Sequence, residues 1–463
     1  MNFSLRAPTL AAALHAELDD LPLVSPHGHV PVKTLVDGDL GDPADLFVTG
    51  DHYVLRMLHS AGFSLDELGL VRRGSGNIRP SGRSVWRIFC ENFSLFRGTP
   101  SRFWILRSLE SVFGIDERPK AGNADTLYDR ILEGLSAPTC AARSLLDRQN
   151  VRILSTTDDA GASLEAHKQL RGQRGVSIIP TFRPDSVLDV SSTAWASEIA
   201  RLSAESQVDI TDYWSYISAL EARRRQFQAA GGTATDHGVE LPYTEALDAG
   251  AAAGIFSRAM KGTPDLADAR RFQGHMLIEM MRMSADDGLV MQIHAGCYRD
   301  HDGAVADQFG PGVGGDIPLR SDWVGGLRPL LERYGNAFQA RLVLFTMDES
   351  TYARELAPLA GHYPSLRIGP PWWFHDSPNG IRRYLDSVVE TAGFSNLAGF
   401  NDDGRNVATI GARHELWRRS VCGWLADQVA AGLLDEEESR EIARELALDL
   451  AVDTYRLPSV SNG

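Results

Sequence analysis

Pro26-His27-Gly28-His29-Val30 ends the apolar run Leu21-Pro22-Leu23-Val24-Ser25. Side chains at i and i+2 of an extended chain leave the same face, so a strand here projects His27 and His29 together. Two imidazoles converging at a strand end can hold one transition-metal ion, with Gly28 leaving room for close approach. Taken alone, His-x-His is two polar residues at a strand end. It gains meaning only if later strands bring further ligands to the same place.

The rest of the chain supplies such strands. Residues 31–148 show little strand pattern. Val54-Leu55-Arg56-Met57-Leu58, Val85-Trp86-Arg87-Ile88-Phe89 and Phe103-Trp104-Ile105-Leu106-Arg107 have helical spacing with aromatic residues toward a core. From about residue 150, short apolar runs that end in polar residues alternate with longer helical segments. They are Val151-Arg152-Ile153-Leu154, Val176-Ser177-Ile178-Ile179-Pro180 and the weaker Gly231-Gly232-Thr233-Ala234-Thr235. Next come Leu289-Val290-Met291-Gln292-Ile293, Leu342-Val343-Leu344-Phe345, Leu366-Arg367-Ile368-Gly369 and Leu397-Ala398-Gly399-Phe400.

With the first strand these make eight, and eight alternating strand–helix units predict an α/β fold, a (β/α)8 TIM-type barrel. The expected organisation is an N-terminal helix and first strand (1–30), then a helical insertion over the barrel mouth (31–148). Barrel strands 2–8 (149–412) and C-terminal helices (413–463) follow. The C-terminal ends of the strands, where barrel active sites are built, carry His27 and His29 on strand 1, His294 on strand 5 and Asp403 on strand 8. A single strand-end His or Asp is structural more often than not. Three imidazoles and a carboxylate at one barrel mouth suit one divalent ion, Zn²⁺ by ligand type.

Composition narrows the function class. A formal net charge of −15 argues against nucleic acid or an anionic membrane as partner, so an anionic substrate needs local arginines to draw it in. The Ala/Leu-rich residues 8–17 lead directly into Glu17, Asp19 and Asp20 and have only Arg6 before them, unlike a secretory leader. No apolar run reaches membrane-span length. Cys90, Cys140, Cys297 and Cys422 are far apart with no C-x-x-C pair, as expected of free thiols in a reducing, cytoplasmic compartment.

The order His-x-His, His, Asp on strands 1, 5 and 8 resembles the amidohydrolase superfamily. Within it the chain resembles the uronate (glucuronate) isomerases to about residue 425. The matching stretches are Gly50-Asp51-His52-Tyr53, Thr156-Thr157-Asp158-Asp159, Pro180-Thr181-Phe182-Arg183-Pro184-Asp185 and Asp236-His237-Gly238. Met291-Gln292-Ile293-His294-Ala295-Gly296, Trp372-Trp373-Phe374, Asp403-Gly404-Arg405, Arg413-His414-Glu415 and Arg418-Arg419 continue the same order. Gly28 and Gly404 stand where the resemblance leads one to expect Cys and Ser. Strand 4 ends in Thr235-Asp236-His237 and strand 6 in Thr346-Met347-Asp348, without the Lys and His that serve a second metal in binuclear relatives; one ion is the expectation.

The resemblance implies interconversion of an aldose acid with its ketose, such as D-glucuronate with D-fructuronate or D-galacturonate with D-tagaturonate, by proton transfer through an enediol. It places Asp403, Tyr53 and Arg405 near the chemistry with His52 beside them, leaving open whether Asp403 or Tyr53 is the base. Arg183 is a second candidate carboxylate clamp, Trp372 and Trp373 candidate walls for the sugar, and His237, Asp236 and Arg299 candidate pocket residues. Arg413, His414 and Glu415 fit a helix that braces the barrel end. A mononuclear metal hydrolase or lactonase is the closest rival, and a sugar-acid-binding barrel without catalysis the next. The expected partner is a small anionic uronate, with no nucleic acid or membrane; a homo-oligomer is a possible assembly.

Overall fold

The computed structural model describes residues 3–460 apart from positions 75 and 77, so the extreme ends of the first and last expected segments lie outside the described residues. Seven parallel strands lie side by side in chain order in one curled sheet: β1 (Leu23–Ser25), β2 (Val151–Asp159), β3 (Ser177–Arg183), β4 (Ala234–Gly238), β5 (Val290–Ala295), β6 (Leu342–Thr346) and β7 (Leu366–Ile368). Helices separate most of the successive strands, as parallel neighbours require. The α/β barrel architecture follows.

The eighth run is reduced to one parallel bridge, Ile368 to Leu397, with the Ala398 amide donating to the Ile368 carbonyl at 2.9 Å. Gly399 explains why. It has φ +74°, a left-handed conformation that ends extended pairing, and a Cβ there would meet the backbone nitrogen of Ala451 at 2.4 Å. The gap beside β1 is crossed at the barrel mouth, where the His29 amide donates to the Gly404 carbonyl at 2.8 Å. Thr157 Oγ1 on β2 donates to the Gly28 carbonyl at 2.8 Å and fixes the peptide between the two histidines.

Strand 4 starts three residues later than the sequence predicts. Gly231 (φ +98°) and Gly232, whose Cβ would meet the Pro180 carbonyl oxygen at 2.5 Å, form the turn after the helix Tyr213–Ala229. Asp236 and His237 therefore lie inside the strand. β1, by contrast, stops at Ser25, so His27 and His29 follow a strand rather than sit in one.

Between β1 and β2 the chain is helical. Trp86, Phe89, Phe93 and Phe96 bury their rings in a core that also takes in Leu23 of β1 and Val151 and Leu154 of β2. Each such side chain is worth about 1.5–3 kcal/mol, so this layer is fastened to the strands that carry the site. Asp51 caps the helix His52–Ser60, its carboxylate accepting from the Tyr53 and Val54 amides. After the barrel, the helix Ile410–Ala430 buries Arg418, which donates to the carbonyls of Leu18, Leu21 and Pro22 and anchors the approach to β1. The four cysteines are buried free thiols. Among the described residues no helix is long and apolar enough to cross a membrane.

Candidate active site

His27, His29, His294 and Asp403 meet at the C-terminal mouth of the barrel. Asp403 Oδ1 lies 3.4 Å from His27 Nε2 and 3.2 Å from His29 Nε2. The His27 and His294 rings stack at 4.6 Å between centroids. Among the described residues two groupings have ligand atoms close enough for one ion: His27 with Asp236 and His294, and His27 with His29 and Asp403. His294 Nδ1 is 2.6 Å from Asp236 Oδ1, whereas its Nε2 is buried without a hydrogen-bond partner among the described residues. Asp403 Oδ1 is buried and also lacks one, while Asp236 Oδ2, without a hydrogen bond of good geometry, faces the Arg183 guanidinium at 3.2 Å. Buried polar atoms are normally satisfied. This cluster of unsatisfied imidazole and carboxylate atoms is a donor set that fits a divalent cation.

The electrostatics keep both carboxylates of the cluster ionised. Burial pushes the Asp403 carboxyl up, but the adjacent His27 and His29 imidazoles override it and hold the group well below the carboxylate range. Burial likewise opposes ionisation of Asp236, and the neighbouring His294 and Arg183 again bring it well below. Burial pulls His294 down to about 4, a neutral imidazole free to act as a ligand. At His27 burial also pulls down, but Asp236 and Asp403 prevail and the net is upward.

Beside this cluster a narrow cleft is lined by His52, Tyr53, Asp403, Arg405 and Arg413, among others. The capped helix delivers Tyr53, whose ring stacks on His52 at 4.4 Å and meets Trp104 edge-on at 5.5 Å. Burial raises the Tyr53 phenol well above its ordinary value and drops His52 well below its own, so one keeps its proton and the other is neutral. Arg405 is exposed, and no ion pair ties it to any other described residue.

The other residues singled out from the sequence divide. Trp372 donates from Nε1 to Asp403 Oδ2 at 3.1 Å and meets the His294 ring edge-on at 4.8 Å. Trp373, at φ +58°, lies against His52. Arg299 sits over Trp373 at 5.9 Å and 4.0 Å from Asp316. Arg183 is engaged by Asp185 at 2.7 Å and by Asp236 at 3.2 Å. His237 is fully buried and turns Nε2 toward Thr235 Oγ1, its neighbour on β4, at 3.2 Å.

Three residues matter more than the sequence suggests. Asp51 positions Tyr53, and an Asp just before an amphipathic stretch is a readable capping signal. Arg413 is more than a brace: it pairs with Asp376 at 3.1 Å, donates to the Asp402 carbonyl and stacks over Trp104 at 3.8 Å. Asp376 has no sequence signal. Burial raises its carboxyl to about 7 against the pull of Arg413.

Known proteins match the chain over nearly its whole length. A family model described as glucuronate isomerase matches residues 1–455. The uronate isomerase of Nostoc punctiforme is 47% identical over 451 residues, spanning 97% of this chain and 95% of that protein. The crystal structure of glucuronate isomerase from Caulobacter crescentus aligns with a TM-score of 0.95 at 41% identity, covering 98% of this chain and 95% of the other. That of uronate isomerase from Thermotoga maritima gives 0.91 at 26% identity over 98% of both chains. Agreement this uniform, from the first strand through the C-terminal helices, means that the chain belongs to the glucuronate isomerase family.

Proposed function

We propose that this enzyme is a uronate isomerase that moves a proton between C2 and C1 of an open-chain hexuronate, D-glucuronate or D-galacturonate, through an enediol. The observation that carries the reading is the placement of an unpaired guanidinium, Arg405, in one cleft with Tyr53, His52 and Asp403. A small sugar acid needs a cation for its carboxylate and a base and acid near its carbonyl end, and this cleft offers them together.

The two proton-handling groups begin in complementary states. Asp403 is ionised and can accept the proton from C2. The electron pair left behind forms the C1–C2 double bond, and the former carbonyl oxygen becomes an alkoxide. Tyr53 is a phenol and can donate to that oxygen. Return of the proton to C1, with the C2 hydroxyl giving up its own, yields the ketose. Arg405 holds the carboxylate through its planar fork. His52, stacked on Tyr53 and meeting Trp373 edge-on, keeps the phenol in place, while Trp372 and Trp373 wall the sugar. Arg183 is committed to Asp185 and Asp236, so it is assigned to orient Asp236 rather than to clamp substrate.

His27, His29, His294 and Asp403 would hold one divalent ion. Nitrogen-rich ligation favours Zn²⁺, which supplies positive charge for substrate oxygens. The test is to incubate metal-loaded enzyme with D-glucuronate and D-galacturonate and follow ketose formation. Ketose from at least one is expected. Hydrolysis of a uronolactone with no ketose from either acid would overturn the assignment.

A further inference from the structure

The helical layer between β1 and β2 carries a cleft that shares no residue with the Asp403 cleft. Four cations line it: Arg97, Arg102, Arg118 and Lys120. Its single carboxylate, Glu117, is already engaged by Arg130 at 2.9 Å. None of the four cations forms an ion pair with a described residue, in a chain with 61 acidic and 46 basic side chains. Some other arginines of the same layer find carboxylates, Arg72 with Asp66, Arg87 with Asp125 and Arg107 with Glu110, but here four unpaired cations face one cleft.

The four unpaired groups come from two segments held in place. Arg97 is on a turn where its own Nε donates to the Ser94 carbonyl, and Arg102 is in the first turn of the helix Pro100–Phe113, capped by Thr99. Arg118 and Lys120 flank Pro119 on a loop that Asn123 pins at both ends, donating to the Arg118 carbonyl and accepting from the Lys120 amide. Arg102 is half-buried over the Phe93 ring, and burial, then Arg118 and Arg97, pull its guanidinium down. Like charges gathered on a braced frame, with the one carboxylate of the lining already shared with Arg130, repel one another until an anion neutralises them.

We propose that this cleft binds a small organic molecule carrying two phosphate groups. Each phosphate monoester brings about −1.5 to −2 charges at neutral pH and a set of oxygens that fits arginine forks. A uronate brings one carboxylate, so it neutralises only one of the four cations. The second phosphate separates this ligand class from substrate and from inorganic phosphate.

Titration calorimetry of metal-loaded enzyme with fructose 1,6-bisphosphate at low ionic strength tests the proposal, since screening weakens exposed charge pairs. Saturable binding at one site per chain is expected, at least ~10-fold tighter than inorganic phosphate and unchanged by saturating D-glucuronate. The double substitution Arg102→Gln/Arg118→Gln should weaken it by at least ~10-fold while uronate turnover is retained. If that protein misfolds, Arg97→Gln/Lys120→Gln reads the same cleft from the exposed side. Absence of saturable heat, undiminished binding in the folded variants, or displacement by D-glucuronate would each overturn the proposal. So would a self-associated species that these substitutions disperse without any bisphosphate binding, which would make the cleft a seat for an acidic segment of a second copy.

Discussion

His294 presents Nδ1 to Asp236 Oδ1 at 2.6 Å, and the opposite nitrogen of the same ring is buried without a hydrogen-bond partner among the described residues. A carboxylate on one face of an imidazole fixes its tautomer and raises its basicity toward a metal on the other. Asp236→Asn keeps the shape and removes the charge. Metal affinity, measured by competition with a chelator, should fall ~10–100-fold. Unaltered affinity would reduce Asp236 to a structural partner of Arg183.

Ion stoichiometry follows from a shared residue. Among the described residues His27 belongs to both groupings that could hold a cation, one completed by Asp236 and His294 and the other by His29 and Asp403. One ring serving both favours one ion. Elemental analysis of purified enzyme should give close to one divalent ion per chain, and His27→Ala should lower it more than a change outside the cluster. A ratio near two would overturn the single-ion reading.

Acid stability should depend on Glu415. Burial pushes this carboxyl up, but His15 and Arg419 override it and hold it at about 2 against an ordinary 4.5. The folded form therefore binds this proton less readily than the unfolded chain. The contribution to stability is complete above the unfolded value and is lost as pH falls from there toward the folded one. Thermal midpoints from about pH 6 to about pH 3, which covers the ordinary value and the upper part of the shift, should fall less steeply for Glu415→Gln than for the parent. Parallel curves would show that the carboxylate is not held this way.

The site was more legible in the sequence than the element boundaries. His27, His29, His294 and Asp403 could be read because each closes an apolar run, and strand ends are where a barrel displays chemistry. The boundary at strand 4 slipped because Gly231 and Gly232 look like part of a weak strand until the Pro180 carbonyl is seen beneath them. The eighth strand is shorter than its apolar run for a related reason: nothing near Gly399 announces that Ala451, fifty-two positions later, presses on its backbone. Arg413 and Asp376 could not be paired from sequence at all, since a helix and a loop bring them together and neither carries a periodic signal.

The C-terminal tail makes a specific contact inside the barrel. Tyr455 Oη donates to Gln292 Oε1 at 3.1 Å, two residues below His294 on the same face of β5. Both groups are buried. Tyr455→Phe keeps the ring and leaves the Gln292 oxygen without its donor, at a cost of about 1–3 kcal/mol. A lower urea midpoint with an unchanged slope is the expected result. An unchanged midpoint would mean that Gln292 finds another donor.

Asp403 is the residue with the most to lose, because it is both a candidate ligand and the proposed base. It accepts from Trp372 Nε1 through Oδ2 and faces both strand-1 histidines through Oδ1, with a backbone at φ +47°. Asparagine tolerates that left-handed conformation well, so Asp403→Asn tests the charge and not the backbone. Loss of general-base catalysis should lower kcat by roughly 10²–10⁴-fold, with some metal retained because three imidazoles remain. Arg405→Lys is the companion. It keeps the positive charge and gives up the planar fork, so a bidentate clamp weakens despite the conservative exchange. A rise confined to KM would assign Arg405 to the ground-state carboxylate, and a fall in kcat would assign it to the enediol. Near-normal turnover by metal-replete Asp403→Asn would move the base elsewhere, with Tyr53 the next group in the same cleft.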